Sequence, residues 1–193
     1  MCELVLASRS PRRSELLAIA GFRFTIRPAA VEEVHAAGES PIDYVRRLAQ
    51  AKAEAVWQPD DEFVLGADTI VVIDTEVLEK PADAAHARSM LRLLSGRDHA
   101  VITGICLRHR GGTIVDHSVT TVRFAPLSTA EIDEYVASGE PMDKAGAYAI
   151  QGLAAKFIER IDGCYFNVMG LPLSLVYHHW KALSLNRARQ QAD

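Results

Sequence analysis

Cysteine is scarce in this chain, which has 193 residues and three cysteines (Cys2, Cys106 and Cys164), none of them in a C-x-x-C pair. Such a count argues against a disulfide framework and against a cysteine-ligated zinc site, and it fits a reducing compartment. Long apolar runs are missing too, since none approaches the roughly 20 residues that cross a bilayer. The arginines near the N-terminus follow the first apolar stretch instead of preceding it, which argues against a secretory signal. We therefore expect a soluble, cytoplasmic protein without a membrane segment.

An excess of positive charge is also absent, because the formal net charge is −4 at pH 7. This balance argues against a basic nucleic-acid-binding surface spread over the whole protein. Several catalytic motifs are missing: the Walker A loop, G-x-G-x-x-G, the G-x-S-x-G nucleophile elbow and H-E-x-x-H. The seven histidines show no spacing typical of metal ligands. The sequence thus gives little support to a zinc enzyme or a serine hydrolase.

The remaining composition is that of a globular protein, with 49% hydrophobic and 24% charged residues. Strand and helix patterns interleave without strict βαβ repetition, which predicts an α/β or α+β fold with a mixed sheet. Two dipeptides typical of tight turns, Gly111-Gly112 and Asp162-Gly163, each predict a β-hairpin. The predicted strands are 4–7, 63–67, 70–73, 77–78, 101–107, 113–124, 156–161 and 165–168. The predicted helices are 11–20, 41–56, 82–94, 129–137 and 172 to about 185.

The segment from Ser8 to Arg13 contains a conflict with helix electrostatics. Ser10 and Pro11 predict a helix start, yet Arg12 and Arg13 occupy the first turn, whose free N–H groups form the positive end of the helix. A bound polyanion would resolve the conflict, because a helix N-terminus with nearby cations is a ready phosphate site. The alternative is that both arginines simply point into water.

Lys52 falls on the apolar stripe of the predicted helix 41–56, four residues after Leu48 and four before Val56. Such a lysine usually runs along the edge of the core with its ammonium group in water. The functional alternative is that the ammonium group reaches a phosphate in a cleft.

Asp68 interrupts a nearly continuous apolar stretch, where an unpaired carboxylate is costly to bury. Gly66, two residues earlier, allows another backbone to approach the strand closely. These features favour Asp68 over the loop acids as a catalytic or metal-binding residue. The alternative is a carboxylate at the edge of the sheet that caps a neighbouring turn.

Weaker candidates follow from local position alone. Lys80 follows a short strand and precedes Pro81, so it could face a cleft. Glu32 and Glu33 form an acidic pair in a loop. Gln151 lies beside a glycine in a turn-rich stretch, and its amide can present a donor and an acceptor together, as reading the edge of a base requires.

Taken together, these segments resemble the Maf family of nucleoside triphosphate pyrophosphatases. The likeness covers nearly the whole chain up to about residue 180. The segments that carry it are LASRSPRR (6–13), the pair Glu32-Glu33, LGADT (65–69), LEKP (78–81), DKAGAY (143–148), Gln151-Gly152 and YFNVMGLP (165–172). The family often has an aspartate where this chain has Glu32, so the resemblance leaves open which of the two glutamates faces the site.

The resemblance implies one domain of two lobes around a mixed, twisted sheet with flanking helices, similar to the inosine triphosphatase fold, with the substrate in a groove between the lobes. It implies hydrolysis of a nucleoside triphosphate to the monophosphate and pyrophosphate with Mg²⁺ or Mn²⁺. The stretch from Tyr148 to Gln151 resembles the sequence found in the family branch that acts on dTTP and UTP. CTP and modified pyrimidine triphosphates are further candidate substrates. A homodimer is compatible with the family, and a stable nucleic-acid complex is not expected.

The resemblance and the local reading assign the same roles. We expect Asp68 to activate the attacking water, either directly or through a metal that it binds, and Glu33 to help bind the metal or to orient that water. The residues expected to bind the nucleotide are Ser8, Ser10, Arg12, Arg13, Lys52, Thr69, Lys80 and Gln151, of which Arg12, Thr69 and Gln151 correspond to positions associated with substrate choice.

Two alternatives remain open at this point. One is the same chemistry on 7-methyl-GTP or on deaminated purine triphosphates. The other is a non-catalytic nucleotide-binding regulator of cell division. It would leave Asp68 without a purpose, because a carboxylate repels phosphates unless a metal lies between them.

Overall fold

A computed structural model describes residues 4–61 and 63–190, so that Cys2 lies outside the described residues. The chain divides into two compact units, each formed from separate stretches of sequence. Unit 1 comprises the described parts of Met1–Asp68, Thr103–Ser118 and Gly170–Asp193, and unit 2 comprises Thr69–Ile102 and Val119–Met169. The predicted groove between two lobes stays a prediction.

The described residues form seven strands and six α-helices, together with three short 3₁₀ turns between residues 140 and 157. The strands are β1 (Leu4–Leu6), β2 (Phe24–Ile26), β3 (Phe63–Ile73), β4 (Glu76–Leu78), β5 (Asp98–His109), β6 (Gly112–Phe124) and β7 (Ile158–Asp162). The helices are α1 (Pro11–Ile19), α2 (Pro41–Val56), α3 (Ala84–Leu94), α4 (Thr129–Ala137), α5 (Tyr165–Val168) and α6 (Leu173–Gln190). No helix within these ranges is both long and apolar enough to span a membrane.

The strands form a mixed sheet in the order β2-β1-β3-β5-β6-β7, with β4 paired to β3. In unit 1, β1 runs parallel to both β2 and β3, with Val5 opposite Val64. In unit 2, β4 is antiparallel to β3, and β7 is antiparallel to β6 with an irregularity at Arg123 and Phe124. The mixed sheet and the α/β class predicted from the sequence are therefore confirmed.

Two glycines in unit 1 allow helix α2 to approach the strands closely. A Cβ atom on Gly66 of β3 would lie 2.1 Å from the carbonyl oxygen of Ala49, and one on Gly104 of β5 would lie 2.3 Å from the carbonyl oxygen of Val45. The backbone of α2 thus fills the space that side chains would otherwise occupy. The helix is fixed at its start by Ser40, whose hydroxyl accepts a hydrogen bond from the Asp43 N–H.

Unit 2 has its own core, formed by β3, β4, β5, β6 and helices α3 and α4. An aromatic cluster lies within it: the rings of His99, Phe124 and Tyr148 meet edge to face, with centroids 4.8 to 5.4 Å apart. Helix α4 begins with the predicted capping box of Ser128 and Glu131. Burial lowers the pKa of His99 to about 4, so this imidazole is neutral at physiological pH.

The predicted break of the strand at Asp68 and Thr69 is wrong, because β3 is continuous through both residues. The expectation rested on the cost of placing a carboxylate in a buried strand. That cost is offset here by an ion pair to Asp68, described below, and Thr69 is a β-branched residue suited to a strand.

The hairpin predicted around residues 162–163 is also wrong in its second half, since 165–168 forms helix α5. The buried Asn167 explains the difference: its amide donates to the carbonyl oxygen of Val101 at 2.9 Å and to the hydroxyl of Thr120 at 3.0 Å. These tertiary bonds override the strand propensity of the local sequence.

Two helix ends differ from prediction as well. Helix α3 begins at Ala84 because Asp83 caps it through the N–H of His86, and helix α6 runs to Gln190, where good helix formers continue past the predicted end.

Cys106 and Cys164 are free thiols, and burial raises the pKa of Cys106 to about 12.

We expect Gly66→Ala to lower the free energy of unfolding by at least about 2 kcal/mol, because the new methyl group would force backbone atoms of Ala49 and Ala53 away from β3. Urea unfolding of the purified variant would measure this. Gly21→Ala is the matched control: among the described residues, apart from its two chain neighbours, none has an atom within 4 Å of the new Cβ. The change should cost about 1 kcal/mol through its left-handed backbone alone. Equal losses in the two variants would contradict the close helix–strand contact.

We expect the buried His99 to make the protein less stable in mild acid. Below pH 6.5 the unfolded chain binds a proton at this imidazole, whereas the folded protein does so only near pH 4. The free energy of unfolding should thus fall by about 3 kcal/mol between these values and stay unaffected by His99 above pH 6.5.

Chemical unfolding over a pH series measures this effect. His99→Gln should flatten the profile between pH 6.5 and 4, whereas the same change at the exposed His178 should leave it intact. An unchanged slope in His99→Gln would show that another group is responsible.

Candidate active site

The segment between β1 and α1 begins the site. Ser10 occupies the N-cap position and Pro11 the first helical position, as predicted, but the Ser10 side chain makes no capping bond. No acidic residue is present in the first turn, so Arg12 and Arg13 stand at the positive end of the helix. The hydroxyl of the buried Ser8 accepts a hydrogen bond from the Ser10 N–H at 3.2 Å.

Arg13 ties this segment to two other parts of unit 1. Its guanidinium group donates to the hydroxyl of Ser8 at 3.2 Å, to the carbonyl oxygen of Ala67 at 2.9 Å and to the carbonyl oxygen of Gly170 at 2.9 Å. Burial lowers the pKa of Arg13, and the negative charge of the nearby Asp68 opposes this decrease. The guanidinium group remains charged in either case. Arg13 therefore holds the start of α1 against the strand residue that precedes Asp68.

Lys52 lies on the buried face of α2, as the stripe predicted, but its ammonium group is ion-paired instead of extending into solvent. The residue is 8% exposed, and its Nζ lies 2.6 Å from the Asp68 carboxylate and 2.5 Å from the Glu33 carboxylate. The reading in which Lys52 runs along the core edge into solvent is therefore wrong. The structure instead gives the lysine two acidic partners, one from a strand and one from a loop.

Asp68 is 6% exposed within β3 and accepts a hydrogen bond from Lys52. Burial raises the pKa of this carboxyl group, whereas the positive charges of Lys52 and Arg13 oppose the rise. Gly66 lies two residues earlier on the same face of the strand, which is where α2 packs closely. The close approach of α2 thus places the lysine and the carboxylate together.

Glu33, not Glu32, contacts Lys52. The loop that carries both glutamates has no regular secondary structure and is exposed along most of its length. The Glu33 side chain itself is 44% exposed, so this acid lies at the solvent side of the cluster. We name the set Arg13, Glu33, Lys52 and Asp68 the charged cluster.

A second contact anchors the Glu33 loop to α2. Arg47 donates to the Val34 carbonyl oxygen at 2.9 Å and to both carboxylate oxygens of Glu39, at 2.6 and 2.8 Å. The bidentate bond to Arg47 lowers the pKa of Glu39 to about 2. Sequence reasoning missed this pair, because the two residues lie eight positions apart across a helix start, where no periodicity connects them.

Three further predicted residues belong to unit 2. Thr69 follows Asp68 directly in β3 and is half-buried, and Lys80 is exposed after β4. Gln151 is exposed in a turn closed by a hydrogen bond from the Gly152 N–H to the Ala149 carbonyl oxygen at 3.1 Å. That these three residues act together with the charged cluster stays a prediction.

The carboxylates of the cluster are the candidate ligands for a metal. In the part of the chain that the structure describes, no group of three or more His, Cys, Asp and Glu side chains is arranged to hold a metal ion. Glu33 and Asp68 nevertheless converge on one positive charge. Mg²⁺ is commonly held by one or two carboxylates together with substrate phosphates, so this donor pair fits such an ion.

Comparison with known proteins places the chain among nucleotide-processing relatives. A dTTP/UTP pyrophosphatase of Koribacter versatilis (strain Ellin345) is 55% identical over 176 residues, which cover 90% of this chain and 91% of that protein. A dTTP/UTP pyrophosphatase of Salmonella typhimurium is 52% identical over 188 residues and 95% of each chain. Among solved structures, a HAM1 protein from Coxiella burnetii aligns at 18% identity with a TM-score of 0.46, over 80% of this chain and 91% of that one.

The family of Maf-like proteins matches residues 3–183, which is nearly the whole chain. The motifs that suggested the resemblance lie within this match and include Arg13, Glu33 and Asp68, and Lys52 lies within the match between two of these motifs. With relatives identical at more than half of the aligned positions, the protein belongs to the Maf-like family.

Proposed function

We propose that this protein is a nucleoside triphosphate pyrophosphatase that hydrolyses dTTP and UTP to the monophosphate and pyrophosphate. Relatives with 52% and 55% identity over nine-tenths or more of the chain bear the name dTTP/UTP pyrophosphatase. The observation that carries the proposal is the buried contact between Lys52 and Asp68, with Glu33 at its solvent side. We further propose a cytoplasmic location, where nucleoside triphosphates are made and used.

Asp68 acts as the general base in this proposal. The carboxylate accepts a proton from a water molecule, whose oxygen attacks the α-phosphorus while the bond to the pyrophosphate oxygen breaks. Burial makes the carboxyl group a better proton acceptor than an ordinary aspartate, because it raises its pKa. Lys52 fixes the carboxylate at 2.6 Å and adds positive charge beside the reacting phosphate.

The start of α1 supplies the phosphate-binding part. Ser8, Ser10 and Arg12 present hydroxyl groups, backbone N–H groups and a cation at the positive end of the helix, which suits a polyanion. Arg13 adds charge while it braces this segment against β3. Lys80 of unit 2 is proposed to contribute a further cation to the triphosphate.

A divalent ion, Mg²⁺ or Mn²⁺, would be held by Glu33 and Asp68. It would neutralise negative charge on the phosphates when bound. Gln151 is proposed to pair with the edge of the pyrimidine, and Thr69 and Arg12 to assist in substrate choice. A mismatched base that covered the Gln151 amide without pairing with it would leave a buried polar group unsatisfied, at a cost of about 1–3 kcal/mol.

We expect Asp68→Asn to lower kcat by about two orders of magnitude or more, because an amide cannot accept the proton from water. Steady-state release of pyrophosphate from UTP with Mg²⁺ measures this. Asp74→Asn makes the same change in the exposed turn after β3, where Asp74 pairs with Arg97 at 2.8 Å, and should keep the wild-type rate. Near-normal turnover by Asp68→Asn would remove Asp68 from the role of base.

We expect a panel of triphosphates to place dTTP and UTP first in kcat/KM, ahead of 7-methyl-GTP and ITP. Gln151→Glu should lower kcat/KM for UTP about tenfold, because the new carboxylate cannot donate to the base. Gln58→Glu, the same change at an exposed residue of unit 1, should have no effect. Preference for a purine would support the corresponding alternative, and binding without pyrophosphate release would support a non-catalytic regulator.

A further inference from the structure

The turn that carries Gln151 is held at both ends by one chain of hydrogen bonds within unit 2. Before the turn, the N–H of Ala149 donates to the hydroxyl of Tyr135 at 3.3 Å. After it, the N–H of Leu153 donates to both carboxylate oxygens of Glu140, at 3.1 Å each. The Tyr135 hydroxyl donates in turn to Glu140 at 2.8 Å, which links the two ends.

The residues that form these hydrogen bonds are closely packed, so their side chains have little freedom to move. Tyr135 is 2% exposed, and its ring meets Phe157 edge to face at 5.5 Å. Burial and the bond to Glu140 both raise the pKa of Tyr135, so its hydroxyl keeps the proton that it donates. A Cβ atom on Gly152 would lie 2.3 Å from a Glu140 carboxylate oxygen, so the turn packs directly on this acid.

The residue before the turn is fixed as well. The hydroxyl of the buried Tyr148 lies 2.9 Å from Nε2 of His99. The backbone on both sides of Gln151 is therefore anchored in the core of unit 2, whereas the Gln151 side chain is exposed. An exposed amide on a fixed backbone is the arrangement expected of a group that must meet a ligand in one orientation.

We propose that Glu140 and Tyr135 are positioning residues, which hold the turn so that Gln151 presents its amide to the base in one orientation and thereby set the preference for dTTP and UTP. This inference rests on the proposed function, and neither residue is assigned contact with the nucleotide. An amide offers its donor and its acceptor at fixed places, so a small shift of the turn misplaces both together.

The first test compares Glu140→Ala, Glu140→Gln and Tyr135→Phe with the wild-type protein. We expect Glu140→Ala to lower the ratio of kcat/KM for UTP to that for ITP about tenfold, mainly through a higher KM for UTP. Glu140→Gln should lose less, because its one oxygen can still accept a hydrogen bond. Tyr135→Phe should resemble Glu140→Ala, since it removes the partner of the Ala149 N–H.

Glu134→Ala is the matched control, because it removes an exposed carboxylate of helix α4, which also carries Tyr135, and this carboxylate lies 3.8 Å from Lys156. It should keep the wild-type ratio. Thermal unfolding of every variant accompanies the kinetics, and Tyr135→Phe, which keeps the ring, carries the test if Glu140→Ala does not fold.

A double-mutant cycle distinguishes positioning from a general loss of structure. If Glu140 acts through Gln151, then Glu140→Ala should change the ratio by less than about twofold when Gln151 is already alanine. An unchanged ratio in the single variants would overturn the inference, as would an equal loss with and without Gln151. Failure of the wild-type protein to release pyrophosphate from UTP and dTTP would overturn the proposed function, and this inference with it.

Discussion

The buried contact between Lys52 and Asp68 is the interaction on which the rest of the candidate site depends. Neither charge is tolerable alone in an apolar interior, and an unpaired buried ion destabilises a protein by several kcal/mol. The pair can form only because α2 lies directly on β3, which Gly66 permits by having no side chain. A helix stripe, a glycine and a strand carboxylate, which look unrelated along the chain, therefore serve one contact.

Much of the fold could be predicted from local patterns. Helix α2, the capping box of α4 and the mixed sheet all follow from periodicity, caps and turn residues. The failures lie where distant contacts override local preference. Asn167 reaches Val101 and Thr120, so a stretch with strand propensity coils into α5. The partner of a carboxylate is equally invisible locally, which is why β3 was expected to break at Asp68.

The candidate site likewise contains residues that could be predicted from the sequence and residues that could not. Arg13, Glu33, Lys52 and Asp68 each stood out in the sequence, because each breaks a local rule or belongs to a family motif, and the structure brings them together. The supporting residues did not stand out. Arg47 looks like an ordinary exposed helix residue, and its bonds to the Glu33 loop exist only in three dimensions.

The charged cluster is electrically balanced, since the two positive groups of Arg13 and Lys52 equal the two negative groups of Glu33 and Asp68. The buried part of this set, Lys52 with Asp68, is neutralised by direct contact, and buried pairs are screened by salt far less than exposed ones. Ionic strength should consequently leave the resting architecture untouched. Ionic strength should instead affect the binding of a polyanion from solution. Added salt would lower the association rate constant of the polyanion without lowering the stability of the fold.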